Sequence, residues 1–459
     1  MISSVIRYFY PDIKEEEVLK FGLFAATLFL ILGSYWALRL LKDSLIFTIA
    51  FPESLGWAAG YGKNLIPKLK MITPWLVAAI VMFIYTPLLD RLDKHKLFYV
   101  FCSFYAGLFA LTSLALYVLN TGGSEYIGAY PLAALGVAVY FATESFGSLV
   151  IALFWSFTVS CNKSDEAKRS FPFMIAVAQL GTIGGSLLLV FGIPNWAIYA
   201  ICTVTTALVM FVINKIVTVL PASQLVSDKV EKKQKPDILA GIRLLFTKPY
   251  LLGVFVVSTF YEIVKTILDF QMKSQGSLLY SSAEFNVFLG WFGLSVNVIA
   301  FLMALFGTSI IMKKYGLKFC IMLYPIIFGV ALISLYIFST TNPSQINMLY
   351  ATFAVMMLVT ALSYAVNNPV KDMMYIPTSN DAKFKVKGIT DTVGSRGSKA
   401  AGSAINNSLN VGATEALKVA SLMAYGTLIG VGFIGIWLIA ALYVGNKNEQ
   451  LVRDNQIIE

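Results

Sequence analysis

Apolar residues in this chain neither alternate nor keep to one helical face; they run in long blocks separated by short polar stretches. Crossing a hydrocarbon layer takes roughly 20 mostly apolar residues in a helix. Twelve windows fit that description: 21–49, 71–89, 97–119, 131–158, 173–193, 196–219, 250–271, 284–311, 319–339, 347–369, 388–410 and 420–444. Windows 97–119 and 319–339 carry no charge, whereas the first, fourth, seventh and eleventh carry charges that lipid would not tolerate. The pattern predicts an all-α integral membrane protein of about twelve transmembrane helices.

Composition agrees. Of 459 residues, 58% are hydrophobic and 13% charged, and mean hydropathy is +0.74, whereas soluble domains carry about 25% charged residues. The first twenty residues hold Arg7, Asp12, Lys14, Glu15, Glu16, Glu17 and Lys20. They are too polar for a secretory signal, so the first span is expected to be retained.

The Lys/Arg bias of short loops sets orientation. Arg91, Lys94 and Lys96 follow span two; Lys163, Lys168 and Arg169 follow span four; Lys313, Lys314 and Lys318 follow span eight; Lys383, Lys385 and Lys387 follow span ten. All fall on one side, while the loops after spans three, five and nine have neither Lys nor Arg. Both termini are therefore expected to be cytoplasmic, with the loop after span one (Lys63, Lys68, Lys70) dissenting. The net charge of +10 is read as this topology signal, not as nucleic-acid binding. Cys102, Cys161, Cys202 and Cys320 lack CxxC spacing, so no disulfide framework or zinc site is expected. His95, the only histidine, sits in a polar turn and leaves histidine catalysis little to work with.

The most polar stretch, Ser227 to Asp237, divides the spans six and six. The expected organisation is an N-terminal half (1–220), a cytoplasmic linker (221–247) and a C-terminal half (248–459), the layout of the major facilitator superfold with its parallel repeats. Gly181 to Ser186 and Gly394 to Lys399 are Gly-rich, but neither fits GxxxxGK[ST]. Gly394, Ser398 and Gly402 instead recur every fourth residue, a small-xxx-small packing stripe.

An ionisable residue inside a span is a functional-site hypothesis by default. In span one, Tyr35, Arg39, Lys42, Asp43 and Ile46 share a face; Asp43 can pair with Arg39, which leaves Lys42 seeking an external partner. Span four carries only Glu144, with Trp155 further along; span seven stacks Glu262, Lys265, Asp269 and Lys273 along one face, of which Asp269 and Lys273 can neutralise each other. Lys371 ends span ten, and Arg396 and Lys399 lie in span eleven away from its glycine face. In a two-fold repeat, span one corresponds to seven and four to ten, and the charged spans do correspond. A cavity lined by Arg39, Lys42, Lys371, Arg396 and Lys399 suits a polyanion, because cations hold phosphates through charge-assisted hydrogen bonds. Tyr35, Trp36, Trp155 and Tyr375 are candidates for stacking on a base. A sugar or peptide carrier would need fewer deep cations. A membrane enzyme acting on lipid-linked phosphates would want an interior histidine or a catalytic domain.

At Leu38 to Ile46, at Lys163 to Pro172, and above all at Lys371-Asp-Met-Met-Tyr-Ile-Pro377 followed by Lys385-Val-Lys-Gly388, the chain resembles the ATP/ADP translocase family of plastids and obligate intracellular bacteria. The resemblance spans nearly the whole chain. It implies nucleotide transport without hydrolysis, usually external ATP for internal ADP, with relatives that carry other nucleotides or NAD or are proton-driven. It further implies a multi-pass protein of the inner (plasma) membrane, in contact with lipid, acting as a monomer on a small-molecule nucleotide without cofactor or metal. The family's functional lysine and glutamate pairs would fall on Lys42, Lys371, Glu144 and Glu262. The chain departs from the family where Val264-Lys265 replaces the usual Trp-Lys, and where Thr378-Ser379 follows Tyr-Ile-Pro.

Overall fold

A computed structural model describes residues 13–58, 60–221, 225, 238–306 and 308–458. The polar stretch 227–237, expected as the central linker, lies outside the described residues, as do Arg7 and Asp12. Among the described residues, eleven helices are long and apolar enough to cross a membrane, running from Glu15–Ile49 through to Glu415–Arg453. The remaining window, 388–410, is also helical, its path formed by Asn380–Ile389, a π-turn at Thr390–Gly394 and Ser395–Leu409. It misses the hydropathy criterion because Asp391, Arg396 and Lys399 dilute its apolar residues.

The chain divides into two compact units. The first comprises Met1–Gly62, Trp75–Lys232 and Ser282–Asn297; the second comprises Lys63–Pro74, Lys233–Ser281 and Val298–Glu459. In the first unit span one is central and packs on spans four, five and six, while span three packs on four and six. In the second, span seven packs on ten, eleven and twelve, and span nine on ten and twelve. Adding six to each number of the first set gives the second, so the packing scheme is repeated. Span seven is the most enclosed of the helices and span two the least.

Glycines set the closest helix approaches. A Cβ on Gly185 of span five would lie 2.2 Å from the Gly33 carbonyl oxygen of span one, and a Cβ on Gly402 would lie 2.7 Å from the Ile263 carbonyl oxygen of span seven. The two Gly-rich runs are thus packing surfaces, as expected of small-residue stripes between membrane helices.

Among the described residues five π-turns interrupt the long helices, and three of them flank site residues. Leu45–Ile49 follows Lys42 and Asp43, Ser363–Asn367 precedes Lys371, and Thr390–Gly394 precedes Arg396. Each inserts an extra residue into the helical turn, which rotates the face presented beyond it.

Candidate functional site

Each unit holds a cluster of charge within its spans. In the first, Lys42 is 3% exposed and its Nζ donates to Asp43 Oδ1 at 2.8 Å and lies 3.1 Å from Glu144 Oε1. The ammonium also sits over the Tyr140 ring, 4.2 Å from its centroid. Tyr140 and Glu144 are one turn apart on span four, so one helix supplies both the aromatic face and the acid. The Asp43 carboxylate, one turn beyond Arg39, accepts from Lys42, and the Arg39 guanidinium lies over the Trp36 ring, 5.0 Å from its centroid. Buried ionised groups persist only when paired and hydrogen-bonded, and here three charges satisfy one another. Tyr35 packs against Gly147, where a Cβ would lie 2.2 Å from the tyrosine ring. Trp155 packs edge-on against Phe154 and Phe171 in the same unit.

The second unit uses a different linkage. Lys371 Nζ donates to the Tyr261 hydroxyl at 2.8 Å, and that hydroxyl donates to Glu262 Oε1 at 2.6 Å. Lys371 sits over the same tyrosine ring, 4.1 Å from its centroid. Lys399 Nζ lies 4.0 Å from Glu262 Oε1, brought there because Gly394 and Gly402 seat its helix against span seven. Arg396, one turn earlier on that helix, is half-buried. Tyr375 is buried and its hydroxyl reaches Thr390 Oγ1 at 3.4 Å. Lys265 lies over the Tyr364 ring, 5.2 Å from its centroid.

The two lysines therefore share a setting, an ammonium against a tyrosine face with a glutamate within reach. They differ in what joins lysine to glutamate: a direct ion pair in the first unit and a phenolic hydroxyl in the second. Lys42, Asp43, Glu144 and Tyr140 come together, as do Lys371, Tyr261, Glu262 and Lys399. Tyr140 and Tyr261 were not singled out in the sequence. The available signal was position, because each stands within one turn of a span's glutamate. Asp269 and Lys273 do pair, at 2.8 Å, but Asp269 also receives Lys70 at 2.9 Å.

Each cluster thus holds its lysine by groups that an anion can displace. A match to known sequences then decides what kind of protein this is. The chain matches the family model described as TLC ATP/ADP transporter over residues 1–122 and 136–447. The chain belongs to that family. Among its relatives, the ADP,ATP carrier protein 1 of Chlamydia pneumoniae is 26% identical, covering 95% of this chain and 92% of the relative. The ADP,ATP carrier protein 1 of Rickettsia bellii is 24% identical over 99% and 98%. The chloroplastic ADP,ATP carrier protein 2 of Arabidopsis thaliana is 26% identical over 94% and 74%. Solved structures similar in fold include a D-xylose-proton symporter, TM-score 0.62 at 13% identity over 93% of this chain and 97% of that one. The POT family transporter PepTSo gives a TM-score of 0.60 at 13% identity, over 95% and 99%. The TLC family member described here is thus a multi-pass membrane transporter with a major-facilitator-type fold, not an enzyme.

Proposed function

We propose that the protein exchanges ATP for ADP by alternating access, importing external ATP against internal ADP, with both termini cytoplasmic and the protein seated in the plasma membrane. The observation that carries this reading is that both lysines hold internal counter-groups, Asp43 and Glu144 on the buried Lys42 and Tyr261 with Glu262 on the half-buried Lys371. Such pairs keep the ammonium groups neutralised when no substrate is bound. Nucleotide phosphates replace the internal partners with stronger, multidentate ones. Arg39, Arg396 and Lys399 supplement the lysines, and Tyr35 and Trp155 contribute to the base. An empty carrier would have to carry intact ion pairs through its conformational change, whereas a loaded one carries released lysines bound to phosphate. That difference favours exchange over net flow. The ADP,ATP carrier relatives suggest the substrate class, and the two clusters offer a physical means of binding it.

The test is uptake of radiolabelled ATP into proteoliposomes preloaded with ADP, beside empty vesicles and vesicles carrying a proton gradient. Uptake confined to loaded vesicles is expected. Gradient-driven uptake into empty vesicles would assign symport instead, and no uptake of any nucleotide would overturn the reading.

A further inference from the structure

The loop after span one was the exception to the charge rule, and its lysines have specific partners. Lys63 and Lys70 stand two turns apart on the helix Tyr61–Ile80, and both belong to the second unit. Lys63 Nζ lies 2.6 Å from Glu415 Oε2, and Lys70 Nζ lies 2.9 Å from Asp269 Oδ2. Lys63 is 2% exposed.

Each of these carboxylates already has a lysine of its own. Glu415 takes Lys418 at 2.6 Å, three residues along its helix, and Asp269 takes Lys273 at 2.8 Å, four residues along. One lysine would neutralise each acid, so Lys63 and Lys70 are surplus, and both surplus cations come from one face of one segment. Together Lys63, Lys70, Lys273 and Lys418 outnumber Asp269 and Glu415 by two positive charges. The six residues lie at the start of span two, the end of span seven and the start of span twelve, so all are at the membrane face opposite the basic loops. Pro74, inside the helix, is the last residue of the segment that packs in the second unit. Lacking an N–H, it cannot make the helical bond there, which gives the segment a natural flexing point.

We propose that Lys63 and Lys70 form a second, outer phosphate site, closed in the empty carrier by Asp269 and Glu415. Resting on the nucleotide-carrier reading, the inference is that arriving phosphates take Lys63 and Lys70 from their acids and release the 63–74 segment. Lys273 and Lys418 then keep the two acids neutralised, so no carboxylate is stranded. The site is an anion relay on the way in, distinct from the Lys42 and Lys371 clusters.

Ile66 is 1% exposed and lies between Lys63 and Lys70 on the same face, so Ile66→Cys, labelled from outside with an impermeant maleimide, reports release of the segment. The four native cysteines are buried. Three probes are compared in proteoliposomes: ATP, inorganic tripolyphosphate and adenosine. ATP and tripolyphosphate are expected to raise labelling several-fold, and adenosine to leave it unchanged. Lys63→Gln with Lys70→Gln is expected to abolish the response and to raise the external KM for ATP about tenfold. Asp269→Asn with Glu415→Gln is expected to raise labelling without any anion. Unchanged labelling with ATP in vesicles that exchange ATP would overturn the proposal, as would a response that survives loss of both lysines. If no nucleotide is transported but tripolyphosphate still raises labelling through Lys63 and Lys70, the outer site stands and the ATP/ADP reading falls.

Discussion

Tyr261→Phe removes one oxygen atom and isolates one question, whether the hydroxyl between Lys371 and Glu262 restrains the empty carrier. The phenol accepts from Lys371 at 2.8 Å and donates to Glu262 at 2.6 Å. Hydrogen bonds to charged groups are worth about 1.5–3 kcal/mol each. The ring that Lys371 faces at 4.1 Å is kept in phenylalanine, so the cation–π contribution largely survives. Glu262 also keeps Lys399 at 4.0 Å, which limits the damage to the link itself. If the link holds the substrate-free state and phosphate breaks it before reorientation, its loss speeds empty return by one such bond, roughly 10- to 100-fold. Exchange between loaded states should change little. The assay is ATP uptake into ADP-loaded and empty proteoliposomes of matched protein content, with near-unchanged exchange and a large rise in net uptake expected. A variant that folds normally, exchanges normally and still shows no net uptake would refute the lock.

Other perturbations have equally direct readings. Asp43→Asn leaves Lys42 with Glu144 alone, so the KM for ATP should fall, measured by exchange at varied external ATP. Lys42→Ala breaks the ion pair of Asp43, which is 1% exposed; beyond loss of exchange it should lower the midpoint in thermal unfolding, breaking a buried pair costing about 3–5 kcal/mol. Gly185→Val places side-chain atoms against the Gly33 carbonyl and should lower the unfolding temperature by several degrees while leaving the KM of the surviving protein unchanged. Trp155→Ala should raise the KM for ATP more than that for tripolyphosphate competition, because only the nucleotide has a base to stack; equal shifts would exclude a base contact.

Much of this was legible in the chain because the bilayer penalises charge so heavily. Lys42, Glu144 and Glu262 stand out in sequence simply by lying in spans where an ion needs a partner, and the structure gives each of them one. The glycine runs were legible for a similar reason, since small-residue spacing has few uses between membrane helices other than close approach. What the spacing could not reveal was the choice among partners at equal reach. Asp43 has Arg39 one turn back and Lys42 adjacent, and helical periodicity points to the former; the structure also puts Lys42 on Asp43, with its ammonium held by Glu144 from span four. Tyr140 and Tyr261 were hidden among 23 tyrosines, because an aromatic residue in a membrane helix carries no cost that would flag it. Lys63 and Lys70 were misleading when counted as loop charges, since their partners lie some 200 and 350 residues further along the chain.

The two clusters also invert each other's polarity. In the first unit the lysine comes from span one and the glutamate from span four. In the second the glutamate comes from span seven, the repeat of one, and the lysine ends span ten, the repeat of four. Acid is in excess around Lys42, which faces Asp43 and Glu144, whereas cations are in excess around Glu262, which has Lys371 behind Tyr261 and Lys399 beside it. Freeing Lys42 means separating an ammonium from two carboxylates, but freeing Lys371 means breaking one bond to a neutral hydroxyl. On the exchange we propose, the second unit would therefore give up its lysine at lower cost, and an incoming phosphate would gain more there. A repeat with identical charges in both halves would bind its substrate symmetrically and have no preferred order of engagement. By exchanging which span carries the lysine, and by placing a phenol in one link and a carboxylate in the other, the sequence makes Lys371 the ready cation and Lys42 the guarded one.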